Sequence, residues 1–448
     1  MKKKTVFNEP IDKVLIHPLE RFFQLESASG ILLGITTLLA LFMANSPWGE
    51  MYHDLWQIKL GVEAKDFHLT KPLILWINDG LMAIFFFLIG LEIKKEILVG
   101  ELNSMQKASL PIFAAIGGMA IPILIFVFGN QDPSVADGWA IPMATDIAFS
   151  LAILSLLGSR VPLGLKIFLT AFAIVDDLGA VLTIGLFYSE NISWDLILYS
   201  GVLLLLLVGL ARSGFYNKVI TFSIGSIIWV MFLKSGIHPT VAGLLIALTV
   251  PLRKNLGTFK YREKIQEISE KFIASRDVKV NKNKRLLTDE QIHLIDDLES
   301  WTGRVQSPLQ HLEHKLHSWV AYLILPTFAF ANAGVEIGGE VPIDYNLALI
   351  IALALIFGNL IGVTGLSWLA LKFKWANLPE SVSFKQVIGV SFLAGVGFTM
   401  SMFITNLAYT DLEMVRSAKM GILAGSILAG IIGYIYLNSV LPKEEKVK

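Results

Sequence analysis

Two adjacent acids, Asp176 and Asp177, stand in the middle of the apolar run "VPLGLKIFLTAFAIVDDLGAVLTIGLFY", residues 161–188. A carboxylate at mid-bilayer depth costs roughly 2.5–3.5 kcal/mol on insertion scales, so adjacent acids need a reason. A third acid, Asp146, occurs in "GWAIPMATDIAFSLAI". The two runs are joined only by "GSRVP", which makes them antiparallel neighbours. At 1.5 Å per residue, Asp176 and Asp177 lie roughly 21 Å along their helix and Asp146 reaches about the same depth. One buried acid can be a structural hydrogen bond; three at one depth point to ion chemistry. They cannot all be ionised there without a partner, so each must hold a proton, a metal ion or a basic side chain. If protons and a small cation compete for them while access alternates, the outcome is coupled exchange.

The residues around Asp146 support that reading. Pro142 removes a helical hydrogen bond and disturbs the turn before it, which would expose carbonyls beside Thr145 and Asp146. A second unusual run, "FLAGVGFTMSMFI", carries Gly395, Gly397 and Thr399, a glycine density that weakens a helix. Two interrupted segments, one in each half, are the mark of a transporter site built on inverted repeats. The competing explanation for the glycines is ordinary small-residue packing between helices.

Other polar residues stand near segment ends. Asp79 lies in "WINDGLM", and Glu92 and Glu96 lie in "GLEIKKE" beside Lys94 and Lys95. These are either solvated ends with local ion pairs or a charged funnel that gathers cations and responds to pH. His238, in "KSGIHPTVAG", titrates near neutrality. His311, His314 and His317 run at helical spacing beside Glu313 in "HLEHKLHSW". That spacing could hold a metal, but an amphipathic interfacial helix explains it as well. "GVGFT" is no phosphate loop, because it lies inside an apolar span.

The elements that must position these groups follow from composition. The chain has 448 residues, 54% of them hydrophobic, with mean hydropathy +0.62. Continuous apolar runs of about 20 residues recur, the length of a spanning helix. A barrel would instead show alternating segments of about ten. We expect an all-α polytopic membrane protein with twelve transmembrane helices, inverted repeats and two interrupted, crossing helices. The spans fall near 28–46, 72–93, 108–129, 138–157, 162–187, 194–211, 218–233, 238–252, 318–338, 346–371, 386–408 and 416–441. Residues 1–27 read as an N-terminal cytoplasmic or interfacial segment, 28–252 as the first eight helices, 318–441 as the last four, and 442–448 as a cytoplasmic tail. Within 47–71 two short alternating runs predict an outer hairpin, whose strand edges invite a second subunit. Residues 253–317 form a cytoplasmic insert of two amphipathic helices separated by "NKNKR", the second opened by a capping box of Thr288 and Gln291. Of 37 Lys and Arg, only Lys59, Lys65, Lys71, Lys234, Arg416 and Lys419 fall outside if both termini are cytoplasmic, as the positive-inside rule requires. The absence of cysteine excludes disulfides and thiolate metal sites. Zero net charge gives no sign of a nucleic-acid partner.

Long ordered stretches resemble the NhaA family of sodium/proton antiporters. They are "GWAIPMATDIAFSLAILSLLGSRVPLGLKIFLTAFAIVDDLGA", "WINDGLMAIFFFLIGLEIKKE", "WVAYLILPTFAFANAGV" and "GVGFTMSMFI". The similarity covers about residues 22–440 apart from the insert. It implies an antiporter of the bacterial cytoplasmic (inner) membrane, for sodium and pH homeostasis, with no cofactor beyond transported Na⁺ or Li⁺ and H⁺. Asp176 and Asp177 match the ion-binding, proton-carrying pair. Thr145 and Asp146 match the polar site at the broken helix, and Thr399 falls in the second interruption. Glu92, Glu96, His238 and Glu313 are the candidates for a pH response, and the hairpin matches a homodimer contact. One position departs. Where the family usually has lysine, in Gly-Lys-Pro-Leu-Gly, this chain reads "FGNLIGVTG" with Asn359. Asparagine carries no charge, which puts the proton count per sodium in question. A cation channel and an intramembrane aspartyl protease are the alternatives; the latter needs acids on facing helices, whereas neighbours on one helix point about 100° apart.

Overall fold

The computed structural model describes residues 27–64, 67–130, 132–189, 191–252, 258–275, 287–305, 307–338 and 341–442. The N-terminal interfacial segment before Ser27, the "NKNKR" turn and the tail after Pro442 lie outside them. Among the described residues the molecule is a bundle of apolar helices with one two-stranded hairpin. Seven helices are long and apolar enough to cross a membrane, namely Leu73–Val99, Met105–Gly129, Leu163–Phe187, Trp194–Arg212, Lys218–Ser235, Tyr345–Lys372 and Leu412–Val440. The number is ten if each of three bent pairs is one span. The pair Ala28–Ala44 and Gly49–Gln57 turns by 110°. The other two pairs are the segments expected to be interrupted. Pro133–Met143 and Ile147–Ser155 meet at 43°, and Phe384–Ala394 and Phe398–Ala408 at 42°. Pro239–Thr249 and Leu325–Asn332 are shorter apolar helices.

Local chemistry sets these boundaries. Asn217 opens Lys218–Ser235 by accepting from Val219 N and Ile220 N, and Gly236 ends it with φ 86°, a conformation that glycine adopts without a Cβ penalty. Ser383 and Gln386 form a capping box before Phe384–Ala394. Three helices contain π-helical turns, at Trp76–Leu81, Val320–Ile324 and Ala354–Gly358, a distortion that often marks functional positions.

Packing separates an inner bundle from a lipid-facing rim. Phe86, Phe168, Phe172, Phe328 and Phe403 are fully enclosed. Trp194–Arg212 buries only Ser200 and Leu207 and exposes Leu198, Val202 and Leu205, as a peripheral helix against acyl chains does. Met105–Gly129 and Tyr345–Lys372 approach so closely at Gly117 and Gly362 that a Cβ on either would overlap the other's carbonyl, the small-residue contact that membrane helices use.

Strands Lys59–Ala64 and Phe67–Pro72 pair antiparallel, Lys59 opposite Pro72 and Ala64 opposite Phe67. In the insert, Thr258–Ala274 packs on Asp289–Val305 through the Tyr261 and Thr302 hydroxyls, 2.9 Å apart, and Lys264 over the Trp301 ring. The capping box is formed: Gln291 N donates to Thr288 Oγ1 at 3.3 Å and Thr288 N to Gln291 Oε1 at 3.1 Å. Glu267 lies between Lys264 and Lys271, 2.8 and 2.7 Å away, and hydrogen bonds from these lysines pull its carboxyl down to about 2.

The helix Pro308–Trp319 carries a pH-dependent contact. Burial, helped by the nearby Lys218 and Lys315, holds His311 below the ordinary imidazole range. Burial also lowers His317, although Glu313 opposes it. The folded form therefore binds fewer protons than the unfolded form at these sites. Their stabilisation is present above the unfolded value, about 6.5, and is lost as pH falls through the lowered folded values. Amide exchange across 308–319 should accelerate at pH 5 relative to pH 7.5, and the double substitution His311→Gln, His317→Gln should flatten that dependence.

Candidate ion-binding site

The two broken helices meet at their breaks. Asp146 caps Ile147–Ser155 by accepting from Phe149 N at 3.1 Å. Its other oxygen accepts from Thr399 N at 3.0 Å and from Thr399 Oγ1 at 2.5 Å, at the start of Phe398–Ala408. One carboxylate thus serves the N-termini of two helices, where unpaired N–H groups and the helix dipole favour negative charge. The carbonyls left at the end of Phe384–Ala394 and in the break after it are met from the other chain segment. Thr145 Oγ1 donates to Ala394 O at 2.9 Å, Ser150 Oγ to Leu393 O at 2.7 Å, and Asp146 N to Val396 O at 2.6 Å. The sequence singled out Thr145, Asp146 and Thr399 separately; the structure joins them in one polar knot. Ser150 was missed, although a hydroxyl one turn after Asp146 in an apolar run was a readable signal.

Asp176 and Asp177 are 1% and 2% exposed, on the straight helix Leu163–Phe187. Asp176 Oδ2 accepts from Thr145 N at 3.0 Å, which ties this helix to the first break. Asp176 Oδ1 and Asp177 Oδ2 are buried and have no hydrogen-bond partner among the described residues. Buried polar atoms are nearly always satisfied, so these are acceptors in need of a proton or a cation. Asp146, by contrast, is occupied by three donors. The arrangement distinguishes a structural carboxylate from a reactive pair.

Asn359 is wholly enclosed, directly after the π-helical turn Ala354–Gly358. Its Nδ2 donates to Leu355 O at 3.2 Å, and its Oδ1 has no partner among the described residues. Asn359 Oδ1 and the Phe172 ring both border Gly118, and Phe172 lies one turn before Asp176. Asn359 therefore faces the aspartate helix without a hydrogen bond to either acid.

The candidates for a pH response divide between the two ends of the bundle. Lys95 pairs with Glu313 at 2.7 Å, one turn from Glu92. Glu96 Oε2 accepts from Glu101 N at 2.8 Å, and Lys94 donates to the carbonyls of Leu248 and Val250 at 2.6 Å each. His238 lies at the hairpin end, with Nε2 3.5 Å from Asp79 Oδ1, while Lys71 of the hairpin reaches Asp79 Oδ2 at 2.8 Å. Among the described residues no three His, Cys, Asp or Glu side chains converge for a metal ion, so His311, His314, His317 and Glu313 form no such cluster.

These features define a class: a polytopic helical membrane protein with buried carboxylates at the contact of two broken helices. The family model for Na⁺/H⁺ antiporter 1 matches residues 20–437. The Na(+)/H(+) antiporter NhaA of Oleidesulfovibrio alaskensis is 46% identical over 98% of this chain and 97% of its own length. NhaA 1 of Saccharophagus degradans is 42% identical over 97% of this chain and 94% of its own, and NhaA of Bacteroides fragilis 42% over 96% and 99%. The chain belongs to the Na⁺/H⁺ antiporter 1 family.

Proposed function

We propose that this protein exchanges Na⁺ or Li⁺ for H⁺ across the bacterial cytoplasmic membrane, crossing it twelve times with both termini in the cytoplasm. The observation that carries this reading is the pair of open, buried acceptor atoms on Asp176 and Asp177 beside the two breaks, in a chain of this family. Asp176 and Asp177 alternate between a protonated and a cation-bound state. A cation replaces the proton because both satisfy the same oxygens, and neither can bind while the other does. Thr145, Asp146 and Thr399 hold the breaks together so that the half-helices move as a unit when access changes sides. The chemistry is transport and needs no cofactor or resident metal. The free edges of the outer hairpin suit a homodimer.

Proton movement in inside-out vesicles tests this. On addition of Na⁺ or Li⁺, accumulated protons should leave; K⁺ should be ineffective. No movement at any pH would overturn the proposal.

Asn359 bears on the charge moved per cycle. An amide neither carries a proton near neutrality nor supplies an ammonium to balance Asp176. Exchange should therefore be electroneutral, or nearly so. Asn359→Lys should raise transport currents on a solid-supported membrane severalfold. Equal currents in the two proteins would show that this position does not set the charge balance.

A further inference from the structure

A cavity of about 500 Å³ at the hairpin end takes no part in the exchange site. It lies between the helix Gly49–Gln57, the chain that follows Asn332, and the first turns of Leu412–Val440. Its floor is made of amides: Asn406 Nδ2 donates to Asn332 Oδ1 at 2.7 Å, and Asn332 Nδ2 to Asn78 Oδ1 at 2.9 Å. Tyr52, Trp56, Ile74, Leu412 and Val415 give it apolar walls.

Its charge is unusual. Arg416 and Lys419, three apart and so on one helix face, both line it. Arg416 is 8% exposed. Its Nε donates to Glu336 O at 2.9 Å and its Nη1 to Val341 O; carbonyls satisfy those hydrogens but supply no counter-charge. Among the described residues no carboxylate lies within ion-pair distance of either cation. The one acid on the wall, Glu336, is 3.0 Å from His53 Nε2. Two enclosed cations without an anion are unfavourable, and a phosphate would form strong charge-assisted hydrogen bonds with both.

We propose that this cavity binds a phosphate group carried on a membrane lipid, with Arg416 and Lys419 on the phosphate and Trp56, Leu412 and Val415 along the attached hydrocarbon. The lipid source is favoured over free phosphate because the walls are mostly apolar and the cavity lies at the end of a long membrane helix. Asn406 offers a further polar contact to a headgroup hydroxyl. The site stands whether or not the exchange proposal holds.

Delipidated full-length protein in neutral detergent tests it, with retained lipid read by native mass spectrometry and thermal stability read in parallel. The probes are phosphatidylglycerol, a zwitterionic phosphatidylcholine, and inorganic phosphate. Phosphatidylglycerol should be retained and raise the melting temperature, with phosphatidylcholine much weaker. Lys419→Gln should weaken phosphatidylglycerol retention at least fivefold. It should not lower the melting temperature of the lipid-free protein, since it removes an uncompensated buried charge. Lys372→Gln, at an exposed position distant from the cavity, should bind as the parent does. Undiminished retention by Lys419→Gln would overturn the site. If inorganic phosphate alone reproduces the full stabilisation with the same Lys419 dependence, the anion chemistry stands and the lipid is overturned.

Discussion

Asp177→Asn is expected to abolish exchange while leaving the fold intact. The amide cannot release a proton or present negative charge to Na⁺. Asp177 Oδ2 has no hydrogen-bond partner among the described residues, so no packing contact is lost. Removing a buried charge spares its desolvation, so the melting temperature should hold or rise. Transport in proteoliposomes, followed by a trapped pH dye, should fall by about 100-fold or more, near 3 kcal/mol at 1.4 kcal/mol per tenfold. The same substitution at Asp176 should act twice, because Thr145 N donates to that carboxylate at 3.0 Å. Exchange that survives Asp177→Asn would remove this residue from the mechanism.

Asp146→Ala should instead act first on stability. Phe149 N, Thr399 N and Thr399 Oγ1 all lose their acceptor. Buried donors stranded at two helix N-termini should cost about 3–5 kcal/mol. Asp146→Asn keeps an acceptor oxygen and should recover part of that loss. Thr399→Val, which removes one hydroxyl, should cost about 1 kcal/mol. Chemical denaturation in mild detergent separates these variants. If Asp146→Ala melts with the parent, the contact between the breaks is held by packing and not by the carboxylate.

Much of this was legible in the chain because intramembrane polarity is rare. The spacing of Asp146, Asp176 and Asp177 announced a common depth, and Gly395 to Thr399 announced the second break. What was not legible was the pairing. Thr145 donates from both its backbone and its side chain, to Asp176 and to Ala394, partners 31 and 249 residues away. No local pattern encodes such contacts. The same holds for His238 and Asp79, each readable alone but joined only by the fold. Asn78 and Asn332 were polar residues in apolar runs, "WINDGLM" and "FAFANAGV", and could have been singled out; acids drew attention because their burial is harder to satisfy. The tilt of Pro308–Asn332 also escaped periodicity. Its helix starts ten residues before the apolar span expected at 318, on an amphipathic turn capped by Ser307.

The π-helical turn at Ala354–Gly358 constrains spacing more than identity. A π-turn holds one residue more than the α-helical turn it replaces. Deleting any one residue of 354–358 would let the segment relax to regular α-helix without rupturing it. Everything on one side would then rotate by about 100° relative to the other. Asn359 would swing away from Gly118 and the aspartate helix, and Gly362 would leave its seat against Gly117. Side-chain substitutions within this turn can be tolerated if volume is kept, whereas a single deletion would put an intact helix out of phase with its neighbours.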